Sequence, residues 1–278
     1  MTLIDIERLR TWIGRTAEAD DVITPRLAAS LLAVLDDDGE ASEGAEAPTG
    51  IHWCLAPDIA GMSGLGPDGH PARGGFLPPA PLPRRMWAGG ELTFSGTPLR
   101  VGDRVTRRSR IEDVAFKDGR SGPLLFVTVA HAYTTERGLA LSERQDIVYR
   151  EAVAQGASAS GGEAPARPGP ERSLSIEASA TLLFRYSAAT FNGHRIHYDR
   201  PYATEVENYP GLVVHGPLQA TYLLRMARAM RGGALPASFS FRGVTPLFDQ
   251  QVFKVCGAGA ELWIENARGQ VTMTARTT

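Results

Sequence analysis

Residues 184–224 read FRYSAATFNGHRIHYDRPYATEVENYPGLVVHGPLQATYLL, and they hold most of what the chain discloses about itself. Asn192, His194, His197 and Asp199 crowd into a stretch broken by Gly193 and Pro201. That composition marks a loop, and polar groups gathered in a loop point to chemistry. Val214-His215-Gly216 then leads into Pro217, a residue suited to the first helical position because its missing N–H would have no partner there. From Pro217 to Met230 the apolar residues Leu218, Tyr222, Met226 and Met230 recur on one face, so a buried amphipathic helix is expected. Upstream, LSIEASATLLFRYSAATF, residues 174–191, is expected to be a strand running into the loop.

Downstream of the helix, ASFSFRGV (237–244), QQVFKVCGAG (250–259), ELWIENA (261–267) and QVTMTART (270–277) read as strands, the last two joined by a turn at Asn266-Ala267-Arg268-Gly269. The first half repeats the plan. Helical spacing at Ile4–Ile13 and at Pro25–Leu35 precedes an acidic run, Asp36-Asp37-Asp38-Gly39, expected to be a solvated loop. A Gly- and Pro-dense stretch, 61–84, follows, and then ELTFSG, DRVTRRSRIEDVAFK, PLLFVTVAHAYTT and ALSERQDIVYR as an antiparallel meander. Between the halves, EAVAQGASASGGEAPARPGPERS, residues 151–173, has almost no bulky apolar side chain and reads as a flexible linker. Helical material followed by antiparallel strands, twice over with no β-α-β alternation, makes the fold class α+β and a duplicated module the economical organisation: 1–150, a linker, and 174–278.

The 278 residues carry 43% hydrophobic and 22% charged side chains and a formal charge of −2, with no basic excess to attract nucleic acid. No segment approaches the ~18 apolar residues of a membrane span. The first residues, MTLIDIERLRTWIG, lack the apolar core of a secretory signal, so a cytoplasmic location is expected. Cys54 and Cys256 have no close-spaced partner and read as small apolar fillers. His194, His197 and Asp199 bring no evident third and fourth ligand for a metal, so none is expected. GLGPDG, residues 64–69, fits G-x-G-x-x-G by letter but follows no strand, and it reads as loop.

His197-Tyr198-Asp199, Tyr202-Ala203 and Val214-His215-Gly216 resemble the signature of the MaoC-like hydratases and dehydratases. The whole 184–224 segment is similar to the hydroxyacyl-thioester dehydratase and mesaconyl-CoA hydratase branch of that family. SFSFRGVTPLF (238–248) and RRMWAGGELTF (84–94) extend the likeness to both halves. The resemblance implies a double hot-dog, each module a long helix wrapped by an antiparallel sheet, with the second module catalytic and the first shaping an acyl pocket. It implies a hydro-lyase acting on an acyl-CoA, mesaconyl-C4-CoA or itaconyl-CoA foremost, with no cofactor beyond the CoA carried by the substrate.

That chemistry needs a group that moves a proton between water and substrate, and a donor for the charge that develops on the thioester oxygen. His197 suits the first role, because imidazole titrates near neutrality. Gly216 suits the second: its N–H lies at the positive end of a helix, and the missing Cβ admits the substrate. The wider family carries a catalytic Asp where this chain has Asn192, five residues before His197. An amide cannot accept a proton, so Asn192 is left to hold the water while His197 shuttles the proton alone or with another carboxylate. His194 is read as bracing the loop or touching substrate, His215 as orienting the helix start, and Asp199 as the cap of a helix at Arg200-Pro201. Arg85, Trp87 and Arg195 are candidates for contacting a CoA phosphate or an acyl carboxylate, with an inter-module salt bridge as the alternative for the arginines.

Two other activities suit the same fold, an acyl-CoA thioesterase and a non-catalytic acyl-thioester binding module. Association into a homodimer is compatible with hot-dog sheets, although two modules in one chain already supply their usual pairing.

Overall fold

The computed structural model of the chain describes residues 4–119, 122–151, 167 and 169–278. Its centre is one ten-stranded antiparallel sheet in the order β1-β3-β4-β5-β2-β7-β10-β9-β8-β6. The strands are β1 (Thr16–Val22), β2 (Arg84–Phe94), β3 (Arg104–Gly119), β4 (Gly122–Thr135), β5 (Gly138–Arg150), β6 (Arg172–Glu177), β7 (Ser238–Gly243), β8 (Val252–Ala258), β9 (Glu261–Glu265) and β10 (Val271–Thr277). Exchanging β1 with β6, β2 with β7, β3 with β8, β4 with β9 and β5 with β10 returns the same order reversed, so the two halves share one topology. They meet where β2 runs antiparallel to β7, with Gly90 opposite Phe241. A Cβ on Gly90 would fall 2.3 Å from the Arg144 carbonyl oxygen, which explains a glycine in the middle of a central strand.

Among the described residues the α-helices are α1 (Ile6–Arg10), α2 (Pro25–Val34), α3 (Ala180–Ala189) and α4 (Gly216–Met230). The stripe expected on α4 is there, but burial goes nearly all the way round: Leu218, Gln219, Ala220, Thr221, Tyr222, Leu223 and Leu224 are all buried. One side of α4 packs on β7–β10. The other meets the first half, where Gly50 approaches Thr221 so closely that an added Cβ would sit 2.8 Å from its Oγ1. Each fully buried Leu of this kind contributes roughly 1.5–3 kcal/mol. Arg225 of α4 donates to the Leu35 carbonyl and pairs with Asp37 at 2.7 Å, so the acidic run expected to be solvated is in part a docking point for the helix.

Several expectations need correction. Residues 174–191 begin as the expected strand, in β6 to Glu177, but do not go on into a loop: Ser179 accepts from the Leu182 N–H and caps α3, which buries Leu183, Tyr186 and Ser187. The cap outweighs the β-branched and aromatic letters around it. The first helix is shorter than Ile4–Ile13, and the first half has no helix matching α4 among the described residues: α2 spans 10 residues against 15 for α4. β1 gave no strand signal because it is an exposed edge. Cross-strand charges hold it to β3, Glu18 with Arg108 at 2.7 Å and Asp20 with Arg104 at 3.0 Å. Most of the expected linker lies outside the described residues, but Arg172 and Ser173, counted in it, already pair with Gly257 and Cys256 in the sheet. The turn at 266–269 is as expected, with Gly269 at φ 73° donating to the Asn266 carbonyl. Both cysteines are buried and free.

Candidate active site

His197 ends a short 3-10 turn, Arg195–His197, in the segment between α3 and α4. Its Nδ1 donates to the carbonyl of Val213 at 2.7 Å. That carbonyl is held from both sides, because the Val213 N–H donates to Ile196 and the Val214 N–H to Leu247. Asp249 completes the frame: it is buried, accepts from the Leu212 N–H at 2.9 Å and is paired with Arg200. With Nδ1 tied, Nε2 is the free nitrogen of His197. Burial pushes its imidazole down to about 4, and so it rests neutral with a lone pair available.

The rings of His197 and His215 stack at 3.6 Å and 20°. His215 precedes α4 and shares a 2.8 Å hydrogen bond between Nε2 and the Ser187 hydroxyl of α3. It is 1% exposed, and burial holds it well below the ordinary imidazole range. Among the described residues no side chain caps the first turn of α4, which leaves the Gly216 N–H uncapped at the positive helix end. A Cβ on Gly216 would lie 2.9 Å from Cε3 of Trp87. Trp87 stacks on Phe241 at 4.5 Å and meets Trp53 edge-on at 5.7 Å, so aromatic rings from both halves wall the approach to the helix start.

The sequence reading missed Asp68 and His70, which arrive from the Gly-Pro loop that looked like filler. Gly69, at φ 87°, packs so tightly on Gly193 that a Cβ would fall 2.0 Å from the Gly193 carbonyl oxygen. The Arg195 N–H donates to the Asp68 carbonyl at 2.9 Å, and its guanidinium donates to Pro67 at 3.0 Å. Those contacts place His70 against His194, ring centroids 4.1 Å apart, and His194 lies edge-on to His197 at 5.3 Å. Asp68 Oδ2 takes Nδ1 of His70 at 3.0 Å. Burial would raise the Asp68 carboxyl, but its bonds to His70 outweigh that and hold it below the usual carboxylate range. Burial lowers His70 while the bond to Asp68 works against the fall; His194, lowered by burial and then by its imidazole neighbours, has no such bond. A spacing of Asp and His two apart in a Gly-Pro loop is the one local signal that this segment is more than a connection.

Asn192 Oδ1 accepts from the His194 N–H at 2.9 Å, so the amide shapes the loop. Asp199 accepts from the Tyr202 N–H at 3.2 Å, the capping role expected of it, and also holds Arg195 at 2.7 Å. Arg195 lies over the Tyr202 ring at 4.1 Å and ties the halves together. Arg85 contributes to lowering both His70 and His194, which puts its charge beside the histidine cluster. Asp68, His70 and His194 present donor atoms within 4.8 Å of one another. Asp68 engages the Nδ1 of His70, and the His70 and His194 rings lie 4.1 Å apart. A cavity of about 620 Å³ opens elsewhere, between Gly50–His52, Ser95–Leu99 and the far end of α4 at Arg228 and Arg231, and includes none of these groups.

Residues 50–249 match the family model described as hydroxyacyl-thioester dehydratase type 2. The chain is 44% identical over 253 residues to the mesaconyl-C(4)-CoA hydratase of Chloroflexus aurantiacus, covering 88% of this chain and 86% of that one. Among solved structures it resembles a MaoC-like dehydratase from Phytophthora capsici, with TM-score 0.66, 14% identity and 99% of each chain covered. It also resembles a Mycobacterium tuberculosis protein described as having a double hot-dog fold, with TM-score 0.60, 11% identity and 95% of each chain covered. The fold of this chain is accordingly α+β and a double hot-dog.

Proposed function

Because this chain belongs to the hydroxyacyl-thioester dehydratase type 2 family, among the MaoC-like hydratases and dehydratases, and is a hydro-lyase, we propose that it adds water reversibly to a short enoyl-CoA. The carboxylated substrate mesaconyl-C4-CoA comes first and itaconyl-CoA second. The observation that carries the reading is one juxtaposition: a neutral His197 with Nε2 free, stacked on the residue that opens α4, beside the uncapped Gly216 N–H.

In this reading the thioester oxygen lies at the start of α4, where the Gly216 N–H and the helix dipole receive the charge that grows as water attacks C3. His197 Nε2 takes the proton from that water. The wall of Trp87, Trp53 and Phe241 excludes solvent and lies along the acyl group. Arg85, the cation beside the histidines, is matched to the carboxylate that distinguishes mesaconyl-C4-CoA from an unsubstituted enoyl chain. Hydration moves no electrons between molecules, so no cofactor is needed beyond the CoA of the substrate. No helix among the described residues is long and apolar enough to cross a membrane, and a cytoplasmic site of action goes with a CoA substrate.

The test is absorbance at the enoyl-thioester band with mass spectrometry of products, using mesaconyl-C4-, itaconyl- and unbranched short enoyl-CoA. Loss of the band with the mass of one water gained supports the reading. Release of free CoA instead would replace it with thioester hydrolysis, and thioester binding without turnover would leave a binding module.

A further inference from the structure

Hydration takes a proton from water and puts one on C2, and His197 has one free nitrogen with which to do both. Asn192 cannot assist, since its Oδ1 is committed to the His194 N–H and an amide does not titrate. Four imidazoles meet at this site, those of His70, His194, His197 and His215. Among the described residues only His70 is bonded to a carboxylate, that of Asp68. The bond occupies Nδ1 and leaves Nε2 as the nitrogen that can act.

We propose that the Asp68–His70 pair is the general acid of the reaction: His70 touches the substrate as a catalytic residue, and Asp68 is the positioning residue that holds its ring through Nδ1. The assignment rests on the hydratase reading above. Burial lowers both imidazoles, but the carboxylate bonded to Nδ1 of His70 works against the fall, an aid that no carboxylate among the described residues gives His197. That difference in partner assigns the base to His197 and the acid to His70. Water's oxygen bonds to C3 while one of its protons moves to Nε2 of His197. The π pair of the C2=C3 bond shifts into the enolate of the thioester, held at the Gly216 N–H, and that pair then takes the Nε2 proton of the His70 imidazolium to form the C2–H bond. His197 now carries the proton of the attacking water and His70 lacks the one it gave to C2, so loss of a proton from the first to solvent and uptake of one by the second restore both groups. The net change is one water added.

The pair reaches the site only because the loop carrying it is docked on the catalytic segment by the contact of Gly69 with Gly193 and by the Arg195 bonds. A loop serving only as a connection needs neither the half-buried Asp–His bond nor this docking.

The experiment is the pH profile of kcat and KM for hydration of mesaconyl-C4-CoA by the full chain, comparing wild type with Asp68→Asn, His70→Gln and His70→Ala, the last with and without added imidazole. An acid must be protonated, so activity is lost as pH rises through its pKa, and removing the Asp68 charge moves that alkaline limb to lower pH. Asp68→Asn should shift the limb acidward by about one unit or more. His70→Gln should lower kcat about 100-fold with KM changed little, and imidazole should restore part of the rate of His70→Ala. An unmoved limb in Asp68→Asn with kcat near wild type in both His70 variants would overturn the proposal. Should Asp68→Asn fail to fold, judged by its melting curve, the His70 variants and their rescue decide the matter alone. A wild-type chain that hydrates no enoyl-CoA would instead sink the hydratase reading on which this rests.

Discussion

His197 and His215 lie face to face, 3.6 Å apart, and each ring is anchored by a different element: His197 by the Val213 carbonyl, His215 by the Ser187 hydroxyl of α3. The stack fixes the plane in which the free Nε2 of His197 can meet a water. His197→Ala should therefore lower kcat for hydration by about 100-fold or more with the protein still folded. Steady-state kinetics with a melting curve checks this, and retention of a tenth of the rate would move the base elsewhere.

Ser187 acts at one remove. Ser187→Ala leaves the buried His215 with no partner on either nitrogen, since its Nδ1 has none among the described residues. A cost of about 1–3 kcal/mol in unfolding free energy is expected, together with a fall in kcat smaller than that of His197→Ala. Urea unfolding alongside kinetics measures both; a fully stable, fully active variant would show that the stack needs no such anchor.

Gly69→Ala should separate the two loops. The added methyl collides with the Gly193 carbonyl, and φ 87° disfavours any side chain, a cost of about 1–3 kcal/mol for the backbone alone. Gly61→Ala, in the same loop with nothing near its Cβ, is the control. Activity and melting temperature should fall for the first and stay for the second.

Arg85→Gln should discriminate substrates. KM for mesaconyl-C4-CoA should rise about ten-fold while that for an unbranched short enoyl-CoA changes little, because only the former offers an acyl carboxylate. Equal increases for both would move Arg85 to the CoA phosphates.

All six histidines of the chain titrate below their ordinary value of 6.5 in the folded state, burial being the first cause in each. The unfolded chain therefore binds protons that the folded chain refuses. Stability is complete above the unfolded pKa and is lost as pH falls through about 6.5, continuing to about 4 for His131 and His197. Melting temperatures at constant ionic strength should decline steadily across that window; a flat profile down to pH about 4.5 would mean that the imidazoles are better solvated than their burial implies.

The sequence by itself determined what local pattern encodes. Leu218, Tyr222 and Met226 fall on one face because a helix repeats every 3.6 residues, and Gly216-Pro217 marks its start by backbone chemistry alone. The meander of the first half was legible from its own alternation, and the motif around His197 singled out the segment between α3 and α4. α3 was misread because it opens on a single cap, the Leu182 N–H donating to the Ser179 hydroxyl oxygen, and β1 because its partners are arginines more than 80 residues away. Only the tertiary structure could bring Asp68 and His70 to His194, across more than 120 residues of chain. That juxtaposition depends on the fit of Gly69 against Gly193, a contact with no side chain on either partner and hence no periodicity, charge or hydrophobicity to announce it.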